Sequence, residues 1–195
     1  MAKLFTYYGS MGSSKTSNLL VTSFNYREKN LNPIIFTSAI DSRSGYGKVK
    51  SRIDGLEEEA IAINKTDNIF EIVSNKIKNG EKIDVVLVDE ASFLSKENIM
   101  QLTDIVDYLN ISVLAYCLRT DFKGELFEGS AYLLAWSDEI HEIKTMCHCS
   151  RKANFNARIQ DNKVIKSGEK IQVGGNESYV SLCRKCWKEG KLDGK

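Results

Sequence analysis

The sequence predicts an α/β fold: a mainly parallel sheet with helices on both faces, followed by a small C-terminal metal-binding domain. Three observations lead there. A glycine- and serine-rich loop, Gly9-Ser10-Met11-Gly12-Ser13-Ser14-Lys15-Thr16, sits between an apolar run and a helical pattern. A second apolar run, Asp84-Val85-Val86-Leu87-Val88-Asp89-Glu90, ends in two carboxylates. Four cysteines in two closely spaced pairs, Cys147/Cys149 and Cys183/Cys186, lie in the last quarter of the chain. The first two are what a nucleotide-binding sheet places at the carboxyl ends of its strands, and the third is a zinc-ligand pattern.

The elements follow in order. Leu4 to Tyr8 reads as a strand, Lys15 to Lys29 as a helix with Leu19, Leu20 and Phe24 at helical spacing, and Pro33 to Ser38 as a second strand. That is a βαβ unit. The polar stretch from Ala39 to Asp54, with Asp41, Arg43, Lys48, Lys50 and Arg52, fits a surface loop; its place after the second strand equally fits a phosphate-facing one. A strand near Ala60 to Ile63 precedes a helix with Ile69, Ile72, Val73 and Ile77 on one face. The Val85 to Val88 strand comes next, then a helix marked by Ile99, Leu102, Ile105, Val106 and Leu109, then a strand from Val113 to Tyr116. Strands separated by helices of this length imply parallel pairing through crossover connections. The apolar stripes on the helices are read as core.

The loop matches the P-loop signature at three of its four fixed positions, with Ser14 in place of the second glycine. In such a loop successive backbone N–H groups and a helix N-terminus face the phosphates, the lysine reaches the β/γ oxygens, and the hydroxyl of Thr16 ligates Mg²⁺. At the end of the second apolar run Asp89 suits Mg²⁺ or its water. Glu90 beside it suits proton abstraction from an attacking hydroxyl or activation of a water.

The chain has 195 residues, 42% hydrophobic and 27% charged, enough for one good core and a small satellite. Its net charge of +1 gives no electrostatic ground for a nucleic-acid or membrane partner. Neither a signal-like N-terminus nor a membrane-length apolar run is present, so a cytoplasmic location is expected. With only His141 and His148, neither near an evident nucleophile, triad chemistry has no support. In a chain without a secretion signal the paired cysteines argue for tetrahedral Zn²⁺ rather than disulfides. Four thiolates are the simplest set, with His148 the alternative ligand. Such a closed site is structural. Cys117 reads as a small buried residue. The intervening segment, Ser150 to Leu182, reads as too polar for its own core, and its Gly174-Gly175-Asn176-Glu177-Ser178-Tyr179 run fits a metal-stapled loop over a small ligand.

Together with Asp41-Ser42-Arg43, Val88-Asp89-Glu90-Ala91-Ser92-Phe93, Tyr116-Cys117-Leu118-Arg119-Thr120-Asp121-Phe122 and Gly124-Glu125-Leu126-Phe127, these motifs resemble the cytosolic type II thymidine kinases, bacterial branch, over essentially the whole chain. The resemblance implies a RecA-like P-loop domain over residues 1–144 and a zinc-binding lasso domain over 145–195. It implies transfer of the γ-phosphoryl group of ATP to the 5′-hydroxyl of thymidine, in nucleoside salvage for DNA synthesis, by a homotetramer inhibited by thymidine triphosphate. Glu90 then matches the general base. The phosphate loop (Gly9, Ser10, Met11, Gly12, Ser13, Ser14, Lys15, Thr16) with Asp41, Arg43 and Asp89 matches the ATP and Mg²⁺ site. Met11, Phe93, Leu118 and Phe122 match the thymine pocket, and Gln172, Val173, Gly174, Gly175 and Tyr179 match the lasso's contacts to the nucleoside. Cys147, Cys149, Cys183 and Cys186 match the zinc ligands. Three positions depart from the family pattern: Ser14 and Cys117 stand at usual glycines, and Ser92 at a usual glutamine. Two other readings stay open, a weakened or inactive nucleotide-binding homologue and a RecA-like P-loop ATPase in which Glu90 activates water.

Overall fold

A computed structural model describes residues 1–41, 45–53, 55–169 and 178–192. The first part of the chain forms β1 (Leu4–Gly9), α1 (Lys15–Glu28), β2 (Pro33–Ser38), β3 (Lys48–Lys50), β4 (Glu57–Glu59), β5 (Ile61–Ile63), α2 (Ile69–Lys78), β6 (Val85–Asp89), a 3-10 turn (Ala91–Phe93), α3 (Lys96–Leu109), β7 (Ser112–Leu118), α4 (Glu128–Trp136) and β8 (Glu139–Glu142). Six of these strands make one sheet in the order β5-β2-β6-β7-β1-β8, and every neighbouring pair is parallel.

The apolar patterning explains why this sheet sits in the middle. All five residues of β6 are buried, which a strand needs when helices cover both of its faces. Val86 and Val88 point to one side, where Ile69 and Val73 of α2, Ile99, Leu102 and Ile105 of α3 and Leu133 of α4 pack. Val85 and Leu87 point to the other, against Leu19 and Leu20 of α1 and Tyr116 of β7. Helices α2 and α3 start where side chains replace missing backbone partners. Asn68 accepts from the N–H of Glu71, and Ser95 and Asn98 form a reciprocal capping box.

Two differences from the sequence reading have local causes. In α1 the inward line runs through Lys15, Leu19 and Ser23, with Leu20 beside it, so Phe24 faces outward at 57% exposure instead of joining the core. Within the described part of the 39–54 stretch, β3 pairs antiparallel with β4, burying Val49 between the exposed Lys48 and Lys50. The Ser51 hydroxyl meets that of Ser17 on α1 at 2.7 Å. This hairpin leans on the helix that follows the phosphate loop.

The C-terminal part contains β9 (Thr145–Met146), β10 (Lys152–Ala153), β11 (Phe155–Gln160), β12 (Lys163–Ile165), β13 (Tyr179–Leu182) and α5 (Arg184–Glu189). Strands β9 and β10 form a hairpin, and β12, β11 and β13 an antiparallel sheet in that order. The polar Ser150 to Leu182 segment does contribute a core. Ala153, Ala157 and Leu182 bury together with Cys147, Cys183 and Cys186, so the cysteines supply much of the apolar volume. Phe155 stacks on Trp187 of α5 with ring centroids 4.9 Å apart.

Candidate active site

The phosphate loop leaves β1 at Gly9 and enters α1 at Lys15, and its geometry follows from a few positions. Ser14 adopts φ 61°, ψ 30°, the left-handed region, and makes no side-chain cap to the helix. A glycine would fit that backbone without cost; serine adopts it with strain of ~1–2 kcal/mol. Lys15 is buried, and its Nζ donates to the Ser10 carbonyl at 2.9 Å across the loop. Burial lowers its pKa, against the opposing charges of Glu90 and Asp89.

Strand β6 delivers the two carboxylates to the same place. Thr16 Oγ1 donates to Asp89 Oδ2 at 2.9 Å, joining the loop to the strand end. That spacing is what two adjacent oxygens of a Mg²⁺ octahedron need, ~3 Å for Mg–O distances of ~2.1 Å. The pair thus fits Mg²⁺ or a water bound to it. Burial first, and then the neighbouring Glu90 charge, push the Asp89 carboxyl up to about 7. Glu90 itself takes the left-handed conformation, φ 50°, ψ 35°, directly before the 3-10 turn. The bend lets both adjacent carboxylates border one cavity. The turn is held from behind by Gly129 of α4, where a Cβ would lie 2.2 Å from the Ala91 carbonyl and 3.0 Å from those of Ser92 and Leu94. Ser92 has become a tie: Leu118 N–H donates to its Oγ at 2.6 Å, linking the turn to the end of β7.

One cavity of about 770 Å³ connects these groups. Its wall includes Met11, Gly12, Ser14, Lys15, Thr16, Asp41, Asp89 and Glu90 together with Phe93, Leu118, Phe122 and Tyr179. Of the remaining loop residues predicted from the sequence, Gly9, Ser10 and Ser13 are buried and do not border the cavity. Arg43, Gln172, Val173, Gly174 and Gly175 lie outside the described residues. Among the residues that the sequence reading did not single out, Phe127 and Asn156 border the cavity, and Arg158 packs against two of its aromatics. Phe127 meets Phe93 edge-on with centroids 5.3 Å apart. Arg158 is buried, lies 3.8 Å over the Phe122 ring and donates to Tyr179 Oη at 3.1 and 2.9 Å, fixing both aromatics. Asn156 borders the cavity and spans the phosphate loop and the Thr120 backbone. No local pattern marks either Arg158 or Asn156; only an antiparallel register for β11 reveals them.

The four sulfurs of Cys147, Cys149, Cys183 and Cys186 lie within 4.8 Å of one another, with Cys149 and Cys183 at 3.6 Å. Tetrahedral Zn–S bonds of ~2.3 Å separate sulfurs by ~3.8 Å, so this cluster could hold one zinc. His148 turns away, its Nε2 at 3.2 Å from the Lys191 carbonyl. Burial opposes ionisation of Cys183, yet the Cys186 N–H and the neighbouring thiols bring it down to about 7. Burial and the other thiols push Cys186 up to about 12. Cys117 is fully buried at the end of β7, away from this cluster.

A profile of the family described as thymidine kinase matches residues 2–187. The chain belongs to the thymidine kinase family. The thymidine kinase of Haemophilus influenzae is 53% identical over 190 residues, covering 97% of both chains. That of Aliivibrio fischeri is 52% identical over 97% of this chain and 98% of its own. The Legionella pneumophila (strain Lens) protein is 50% identical over 98% of this chain and 91% of its own. A partial likeness, TM-score 0.44 at 16% identity, extends to a Pif1 helicase from Candida albicans over 73% of this chain and 36% of that one. As a member of the thymidine kinase family the chain is a phosphotransferase. Among the described residues no helix is long and apolar enough to cross a membrane.

Proposed function

We propose that this chain transfers the γ-phosphoryl group of ATP to the 5′-hydroxyl of thymidine. The observation that carries the proposal is the one cavity bordered both by Lys15, Thr16, Asp89 and Glu90 and by the apolar side chains of Met11, Phe93, Leu118 and Phe122. In this reading the loop takes the phosphates, the apolar side chains take the base, and Glu90 borders the same cavity. Phosphoryl transfer asks a protein for positioning, charge neutralisation and a proton acceptor beside the attacking oxygen.

In this reading the loop N–H groups and Lys15 hold the β- and γ-phosphates, while Thr16 and Asp89 hold Mg²⁺. Mg²⁺, when bound, neutralises charge on the phosphate oxygens. Asp41 and Arg43 complete the phosphate contacts. Met11, Phe93, Leu118 and Phe122 enclose thymine, and Arg158 keeps Phe122 and Tyr179 in place. Backbone of Gln172, Val173, Gly174 and Gly175, with Tyr179, closes over the nucleoside. Glu90 accepts the proton of the 5′-hydroxyl as that oxygen attacks the γ-phosphorus, with ADP leaving on the opposite side.

The same reading divides the chain into a nucleotide-binding domain, 1–144, and a zinc lobe, 145–195. The end of the parallel sheet at Glu142 and the sulfur cluster beyond it support that division. It includes a structural Zn²⁺ on Cys147, Cys149, Cys183 and Cys186, a cytoplasmic homotetramer, and feedback inhibition by thymidine triphosphate.

The test is a coupled assay of the purified protein with Mg-ATP across the natural deoxynucleosides. Thymidine is expected to be the best acceptor and deoxyuridine a weaker one, with no turnover without Mg²⁺. Equal turnover of deoxycytidine or deoxyadenosine would contradict the assignment, and ADP release independent of nucleoside would favour an ATPase.

A further inference from the structure

The phosphate loop is held by the C-terminal lobe through its main chain. Met11 N–H donates to Asn156 Oδ1 on β11 at 2.7 Å, and the Ser181 hydroxyl on β13 donates to the Met11 carbonyl. Adjacent strands therefore take both polar groups of one loop residue. Asn156 is 3% exposed, and its Nδ2 donates at 2.8 Å to the Thr120 carbonyl, behind the aromatic wall. Two weaker contacts flank the pair: Ser10 Oγ lies 3.4 Å from the Ala153 carbonyl, and Thr145 Oγ1 3.5 Å from that of Gly12.

We infer that Asn156 and Ser181 are positioning residues for ATP, fixing the phosphate loop at Met11 so that the metal-binding lobe sets nucleotide affinity as well as covering the nucleoside. The physical reason is the shape of a phosphate loop, whose backbone N–H groups bind only if they converge. Residues 10–14 bridge β1 and α1, and within the loop the Lys15 ammonium and the Ser13 N–H both reach the Ser10 carbonyl. The peptide at Met11 is instead oriented from outside, by a buried amide and a hydroxyl on a different sheet. Asn156 also touches the loop at Thr120, so nucleotide and nucleoside walls share one side chain. The inference rests on the cavity being an ATP and thymidine site.

The test uses the full-length protein and four variants, Ser181→Ala, Ser181→Thr, Asn156→Ala and Asn156→Asp. Binding of a fluorescent ATP analogue is measured without nucleoside, beside steady-state KM values for both substrates and thermal melting. Losing one neutral hydrogen bond should weaken nucleotide binding about three- to tenfold in Ser181→Ala and Asn156→Ala. Ser181→Thr, which keeps the hydroxyl on a strand that accepts a β-branched residue, should restore it. Asn156→Asp puts a buried carboxylate beside the phosphate loop and opposite the Thr120 carbonyl, so it should weaken nucleotide binding at least as much as Asn156→Ala and also raise the KM for thymidine. Should Asn156→Ala fail to fold, the Ser181 pair decides alone. Nucleotide affinity equal to the parent in variants that melt like it would overturn the inference. A parent that binds ATP but phosphorylates no nucleoside would overturn the kinase reading and leave the loop contacts to be judged by binding; a parent that binds no ATP would overturn both.

Discussion

Ser14 and Glu90 both occupy the left-handed region that side chains beyond glycine enter at a cost, and they flank the same cavity. Ser14 loses no cap on substitution, so Ser14→Gly should relieve ~1–2 kcal/mol of strain against ~0.5–1 kcal/mol of added chain entropy. The expected outcome is a melting temperature higher by a few degrees, and an unchanged or lower one would show that the loop is unstrained with serine. Glu90→Gln should retain ATP binding and lower turnover by at least ~100-fold, because an amide cannot take the 5′-hydroxyl proton. Activity within a few fold of the parent would remove Glu90 from that role. Asp89 gives a pH signature. Its folded pKa of about 7 lies above the unfolded ~3.9, so between those values the folded state holds the extra proton and stability falls as pH rises. In EDTA, Asp89→Asn should melt higher than the parent at pH 8, with the gap closing towards pH 5; a pH-independent gap would refute the buried charge. The charged members of this site were legible because a P-loop and a strand ending in two acids are local patterns. Asn156 and Arg158 were not, because their partners lie on other strands or far along the chain.

At the scale of elements the helices with one apolar face were readable from spacing, and so were the buried strands. Helix α4 was missed since its apolar residues Tyr132, Leu133, Leu134 and Trp136 stand beside Gly129 and Ser130 without a polar face to set the period. Strand β8, Glu-Ile-His-Glu, is a polar edge strand and carries no core pattern. Phe24 shows the opposite error: its spacing suits the stripe, but the inward line passes one residue away. Helix α4 also carries the element-scale prediction. Gly129→Ala must displace the Ala91–Phe93 turn, because the crowding atoms are backbone carbonyls. It should cost ~1–3 kcal/mol and reduce turnover by moving the end of β6, checked by melting and kcat. A variant with parental stability and kcat would show that the turn does not depend on this contact.

The C-terminal lobe is the whole-molecule feature that sequence reading understated. Counting its polar residues suggests a loop without a core, but a core in a small lobe can be built from sulfur and a few small apolar side chains once a metal closes it. Because β11 and β13 reach back to the phosphate loop, the loop and the cysteine lobe are joined although they lie far apart along the chain. Elemental analysis should find one zinc per chain. Cys183→Ser should abolish it and loosen β11–β13, seen as faster hydrogen exchange there while β6 and β7 stay protected. Zinc retained by that variant would contradict the four-sulfur assignment.

The cavity's claim to join a nucleoside to ATP is tested most directly by following the γ-phosphorus itself. In a single-turnover quench with γ-labelled Mg-ATP and thymidine, the label should appear on the 5′-oxygen of thymidine and nowhere else, and Glu90→Gln should delay its appearance without changing its destination. Label released as inorganic phosphate, at the same rate with and without thymidine, would contradict the kinase reading.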